Sequence, residues 1–250
     1  MERDAEPPEL RREAERALRL PAAERLDLLL DSAQPMRLVR ALPDSELYLM
    51  VRELGPVDAL PLVALASAAQ LQHLVDLESW RKDRFDPDRS GGWVALFLEA
   101  GEPALRRFLR AADDAFLALL LQRWVRIEPI EPEDSPSIHG VGESEAGTEL
   151  GYMTPDGNYR FSPSVPEHAP AIRRLLQLFF TDQPERYRET LWSAQWELPA
   201  ELEESELRWR QSRLEERGYP PWEEALAVYA APAGVREAAA PLEPSDPQGL

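Results

Sequence analysis

Asp83, Asp86 and Asp88 are the residues of this 250-residue chain whose type and spacing come closest to a known chemistry. The run Asp86-Pro87-Asp88-Arg89-Ser90-Gly91 sets oxygens at alternate positions and a glycine at the sixth, as the opening of a calcium loop does. Such a loop closes with a bidentate glutamate at its twelfth position. Here that position is Phe97, and Glu99 comes two residues late. The run reads first as a solvated, turn-forming loop. Its second reading is a divalent-cation site of Asp83, Asp86 and Asp88, which would make the chain a cation-sensing regulatory module.

Nucleophilic and metal chemistry find less support. The histidines are His73, His139 and His168, and no two stand three or four residues apart, so no helical zinc motif exists. No G-x-S-x-G elbow occurs. Gly140-Val141-Gly142 is followed by Glu143, Ser144 and Glu145, whose charge opposes phosphate. The chain has no cysteine, which removes thiol nucleophiles and Cys-ligated metal. No cofactor is implied. An enzyme would need a deep pocket, between the N-terminal helices and a β-hairpin, holding a histidine and an acid.

The aromatic residues offer a different chemistry. Trp192, Trp196, Trp209 and Trp222 fall in the C-terminal helices, and Arg208 and Arg210 flank Trp209. Tryptophan and arginine are enriched at interface hot spots, so these six residues form a candidate protein-interaction set. The plainer reading is a small helical core using tryptophan for bulk. Periodicity places Tyr187, Leu191 and Trp192 on one inward stripe.

These residues must be positioned by helices. Leu26, Leu47, Leu71, Val94 and Phe116 follow one another at intervals of 21, 24, 23 and 22 residues. Apolar residues stand three and four positions after each, which makes one stripe on a helix. Pro35, Pro56 and Pro103 come nine residues after the first, second and fourth markers, where a proline can open a second helix. A unit of about 22 residues cannot bury its own stripe, so stacking of units into a solenoid-like array over 21–127 is expected. Residues 1–20 would form a leading, capping helix. The third unit breaks the pattern with a polar stretch from Trp80 to Gly92, expected as an inserted loop.

Pro129 to Pro170 holds seven prolines, eight acids and one arginine or lysine, Arg160. It reads as an acidic linker over 128–166 carrying one β-hairpin at 148–162, turned by Pro155-Asp156-Gly157. Helices return over 167–230 as a C-terminal bundle, and 231–250, with four prolines, reads as a disordered tail.

Net charge is −18, from 46 acids against 28 arginines and lysines. Basic residues are scattered among acids, so nucleic acid and anionic lipid are poor partners. The longest apolar run, Ala59 to Ala69, is too short to span a bilayer and contains Pro61. The expectation is a cytoplasmic protein with a protein partner and no membrane insertion.

Glu206-Leu207-Arg208-Trp209-Arg210-Gln211-Ser212-Arg213-Leu214, Gly218-Tyr219-Pro220, Glu224 to Tyr229 and Thr154-Pro155-Asp156-Gly157-Asn158-Tyr159 resemble the bacterial domain-of-unknown-function 6178 family. The resemblance runs from about Leu20 to Tyr229. It implies no activity, cofactor or catalytic residue. The proline-punctuated acidic units also look like the cytosolic superhelical domain of bacterial magnesium transporters, a likeness of architecture alone. Together these readings predict a mainly α protein that acts as a helical-repeat scaffold or interaction module and lacks a catalytic constellation.

Overall fold

The computed structural model describes residues 8–130, 152–164, 166–220 and 224. The chain is mainly helical. It opens with α1 (Pro8–Ala17), α2 (Ala22–Asp31), α3 (Pro35–Ala41), α4 (Asp44–Leu54), α5 (Leu60–Leu65) and α6 (Ala68–Glu78). An antiparallel hairpin of β1 (Trp80–Arg81) and β2 (Arg84–Phe85) precedes α7 (Pro87–Glu99), α8 (Glu102–Ala111) and α9 (Asp114–Trp124). Next come β3 (Val125–Pro129), β4 (Tyr152–Met153) and β5 (Tyr159–Pro163), then α10 (Ala169–Asp182), α11 (Pro184–Trp196) and α12 (Pro199–Glu216). The chain divides into two compact units, Met1–Leu207 and Arg208–Leu250.

Within the first unit one continuous apolar core runs from Leu10 to Leu202. Of the fifteen stripe positions, twelve are buried, and Leu26, Leu30 and Leu98 are half-buried. The helices carrying the stripe touch in succession: α2 on α4, α4 on α6, α6 on α7, and α7 on α9. The shorter helices between them do the same, α3 on α5 and α5 on α8. Phe85, Phe97, Phe108 and Phe116 link these layers through ring contacts of 5.0 to 5.9 Å.

Helices leave their last carbonyls without internal partners. In this chain, side chains from other elements supply the missing donors. Arg25 donates to Leu18 O and Leu20 O beyond α1, and Gln70 Nε2 to Val39 O and Leu42 O at the end of α3, both at 2.9 Å. Arg40 and Arg107 cover Ala64 O, Leu65 O and Ala66 O at the end of α5. Arg186 covers Leu109 O and Ala112 O after α8, and Gln122 covers Ala194 O and Glu197 O after α11.

Three expectations need correction. Pro56 does not open α5; it lies in a turn, and the helix starts at Leu60 with Pro61 in its first turn. Gly55, at φ 90°, reverses the chain first, and Ala59 N–H bonds back to Gly55 O at 3.0 Å. The stretch Trp80 to Gly92 is not a polar loop. It is the β1–β2 hairpin, turned at Lys82 with φ 60°, followed by the first turns of α7. Asp86 caps that helix by accepting from Arg89 N–H at 3.1 Å, and Pro87 occupies the first turn.

The third correction concerns Val125–Pro129, the end of the expected array. It is a strand pairing antiparallel with β5, with Val125 opposite Pro163, Ile127 opposite Phe161 and Pro129 opposite Tyr159. The expected hairpin is present as β4 and β5, giving a three-stranded sheet ordered β3-β5-β4. Residues 148–151 of that hairpin, and the expected tail over 231–250, lie outside the described residues.

The sheet leads into α10, which packs on α7 and α8. A notch in α7 receives this junction. Gly91 is buried against the Trp124 indole and the His168 ring, which stack at 5.5 Å, and Trp124 Nε1–H donates to Pro87 O at 2.9 Å.

Candidate functional site: an exposed tryptophan face on a pinned helix

α11 starts at Pro184, whose missing N–H costs nothing in a first turn. Tyr187, Thr190, Leu191 and Ala194 form its buried side, and the helix packs on α9 and α10. Tyr187 is fully buried, edge-on to Phe179 and Phe180 at 5.9 and 5.3 Å. Burial drives its phenol well above the usual range, and the Asp156 carboxylate adds to the rise. Both ends of the helix are held. Arg186 bonds Leu109 O at 2.6 Å and pairs with Asp114, while Gln122 Nε2 donates to Glu197 O at 2.9 Å.

On the outer side stand Trp192 and Trp196, one helical turn apart and 55% and 64% exposed, with Leu198 61% exposed beyond them. Trp192 is therefore not on the buried stripe. The adjacent Leu191 takes the inward place, in line with Tyr187 and Ala194. Two indoles at i,i+4 on a helix fixed at both ends need no backbone ordering on binding, which leaves only their own rotamers to be fixed. Glu185, Arg188 and Glu189 lie seven, four and three residues before Trp192 and share its side of the helix.

In the second unit, Trp209 is 59% exposed, Arg208 is exposed and Arg210 is half-buried. Trp222 lies outside the described residues.

The three aspartates are not gathered into a cage. Asp83 is exposed in the β1–β2 turn, and Asp88 is exposed in the first turn of α7. Asp86 is buried and engaged by the Arg89 N–H and by Arg81 Nε at 2.5 Å. Burial alone would raise its carboxyl; the Arg89 N–H bond and the Arg81 guanidinium outweigh this and hold it below the ordinary carboxylate range. Among the described residues no three His, Asp or Glu side chains converge as metal ligands.

His73 is fully buried on α6, edge-on to Tyr48 at 6.4 Å. His168 lies at the start of α10 against Trp124, and His139 falls outside the described residues. Two surface clefts stand out. One, of about 480 Å³, lies between α1 and α2, beside Arg12, Arg16 and Asp31. The other, of about 260 Å³, lies by Tyr152, Met153 and Arg173, whose guanidinium sits 4.1 Å over the Tyr152 ring. Neither is lined by a histidine.

A buried polar network joins α4, α6 and α7. Tyr48 O–H donates to Glu78 Oε1 at 2.9 Å, Arg52 donates to the same oxygen, and Arg89 approaches Glu78 Oε2 at 3.8 Å. Gln72 Nε2 donates to Asp76 Oδ1 at 2.9 Å beside it. The sequence hid this network, because Gln72, Asp76 and Glu78 look like an ordinary polar face of α6. All three are buried, so α6 is enclosed on nearly every side.

No helix among the described residues is long and apolar enough to cross a membrane. No curated protein and no solved structure matches the chain, so the likeness to the magnesium-transporter superhelix gains no support. The resemblance carried by the tryptophan–arginine segment and the Thr154-to-Tyr159 turn does extend over the whole fold: the chain belongs to DUF6178, a family of unknown function, whose family model matches residues 2–248.

Proposed function

We propose that this chain is a non-enzymatic helical-repeat scaffold that binds another protein through the outer face of α11. The observation that carries the reading is the pair of exposed tryptophans, Trp192 and Trp196, on a helix whose other side and both ends are fixed. Large apolar side chains left together at the surface are unusual without a partner. The scaffold part rests on the layered contacts of α2, α4, α6, α7 and α9, with α3, α5 and α8 beside them. Leu47, Leu71, Val94 and Phe116 are buried on α4, α6, α7 and α9, and Leu26 is half-buried on α2; this run of contacts supports a stacked array.

The test is a comparison of the intact chain with a Trp192→Ala, Trp196→Ala double variant. Hot-spot tryptophans cost about 2 kcal/mol or more each when truncated, about 30-fold for one, so partner binding should weaken by roughly several hundred-fold when the two losses add. Thermal unfolding should barely move, because exposed substitutions typically change stability by about 0.5 kcal/mol or less. A partner held equally by both proteins would overturn the reading. Trp209→Ala serves as the matching probe of the second unit.

A further inference from the structure

We infer that the partner docking on α11 presents a basic, amphipathic segment: aliphatic side chains against Trp192 and Trp196, with lysines or arginines around them. The inference rests on the docking reading above and adds the chemistry of the partner. On α11 Glu185 and Glu189 are exposed against one exposed base, Arg188; Glu197, next to Trp196, is half-buried, and Glu201, five residues after Trp196, is exposed. None of the four glutamates makes an ion pair among the described residues. The result is an apolar centre with an acidic rim, the arrangement in which rim charge selects the partner and the centre supplies affinity. A cationic head can also sit over an indole face while a neighbouring carboxylate completes its solvation.

Charge disfavours the other occupants. A second copy would bring −18 against −18 and the same acidic rim against itself. An anionic bilayer would meet the same repulsion.

The experiment uses the full chain and two fluorescent synthetic peptides, one an amphipathic helix of leucine and lysine, the other with glutamate replacing lysine. The leucine–lysine peptide should bind saturably and weaken as salt rises. The leucine–glutamate peptide should bind at least tenfold more weakly. Replacing Glu185, Glu189, Glu197 and Glu201 by glutamine should weaken the basic peptide by roughly tenfold, while Glu24→Gln with Asp27→Asn, on the exposed side of α2, should not.

If both peptides bind alike and only the tryptophan double variant abolishes binding, the basic-partner inference falls and the docking face stands. If the tryptophan variant binds as the intact chain does, or neither peptide binds, both fall. Tryptophan-dependent dimers in sedimentation, or tryptophan-dependent capture by phosphatidylglycerol vesicles, would replace the basic partner by a second copy or a membrane and overturn the inference.

Discussion

Gly91 and Gly92 are neighbours in the same helix, and alanine at each should act in opposite directions. Neither has a positive φ, so alanine fits the backbone at both. In a helix interior alanine is favoured over glycine by roughly 0.5–1 kcal/mol. A Cβ on Gly92 meets nothing within 4 Å, so Gly92→Ala should gain most of that increment. A Cβ on Gly91 would stand 2.5 Å from Trp124 Cζ2 and 3.0 Å from His168 Nε2. Carbon atoms pack at about 3.5–4.0 Å, so the indole would have to move by about 1 Å.

Trp124 is 1% exposed and tied to Pro87 O, so it has little room. Overpacking costs about 1–3 kcal/mol, and losing the indole hydrogen bond about 1 kcal/mol more. After the helix gain is subtracted, Gly91→Ala should destabilise by about 1–3 kcal/mol. That is a fall in Tm of roughly 3–10 °C for a chain this size, against a rise of a few degrees for Gly92→Ala. Urea and thermal unfolding followed by circular dichroism would measure both. Trimming the obstacle with Trp124→Phe should recover part of the Gly91→Ala loss, a coupling that a double-mutant cycle reads directly. Gly91→Ala proteins as stable as Gly92→Ala proteins would refute the notch and its role in seating α10.

Two further outcomes follow from buried polar groups. Gln70→Leu removes donors from Val39 O and Leu42 O and the acceptor of Ser67 N–H, and should cost about 2–4 kcal/mol in chemical denaturation. Gln70→Glu restores the Ser67 bond but turns a carboxylate toward two carbonyl oxygens; its folded pKa is then raised, so its deficit should shrink as pH falls below that value. Asp86→Ala should lose about 1 kcal/mol or more with the cap, whereas Asp86→Asn keeps the cap and loses the charge together with the Arg81 bond to the second carboxylate oxygen. Because the folded Asp86 carboxyl is depressed, its contribution is complete above about pH 4 and disappears as pH falls through the folded pKa, so the asparagine variant should show a shallower acid limb in a pH series of melts.

The helices were legible where local signals agree. Leu47, Met50 and Val51 recur at helical spacing on α4, and Pro35, Pro103 and Pro184 stand in the first turns of α3, α8 and α11. Pro56 misled because Gly55 consumes the next residues in a turn before a helix can start. β3 was hidden because Trp124 to Ile127 continues the apolar run of α9; only pairing with Tyr159–Pro163, distant in sequence, makes it a strand. The alternation Val125, Arg126, Ile127, Glu128 was the available signal. The aspartate run was ambiguous because a capping aspartate before Pro87 and a calcium loop share their first residues. The tryptophan face was half legible: the residue types named it, but Trp192 seemed to belong inside, since periodicity does not say which of two adjacent apolar residues faces α9.

The carbonyls closing α1, α3, α5, α8 and α11 are covered by side chains lying from five to 77 residues away in sequence. Tandem proteins commonly grow and shrink by whole modules, because each module ends itself. Here Arg107 on α8 finishes α5, three helices before its own, and Gln122 on α9 finishes α11, which comes after it. Excising Pro43–Ala66 would remove α4 and α5 and with them the carbonyls that Arg107 covers. The number of helices is therefore tied to particular side chains, and the fold should tolerate drift in its surface far better than any change in its count.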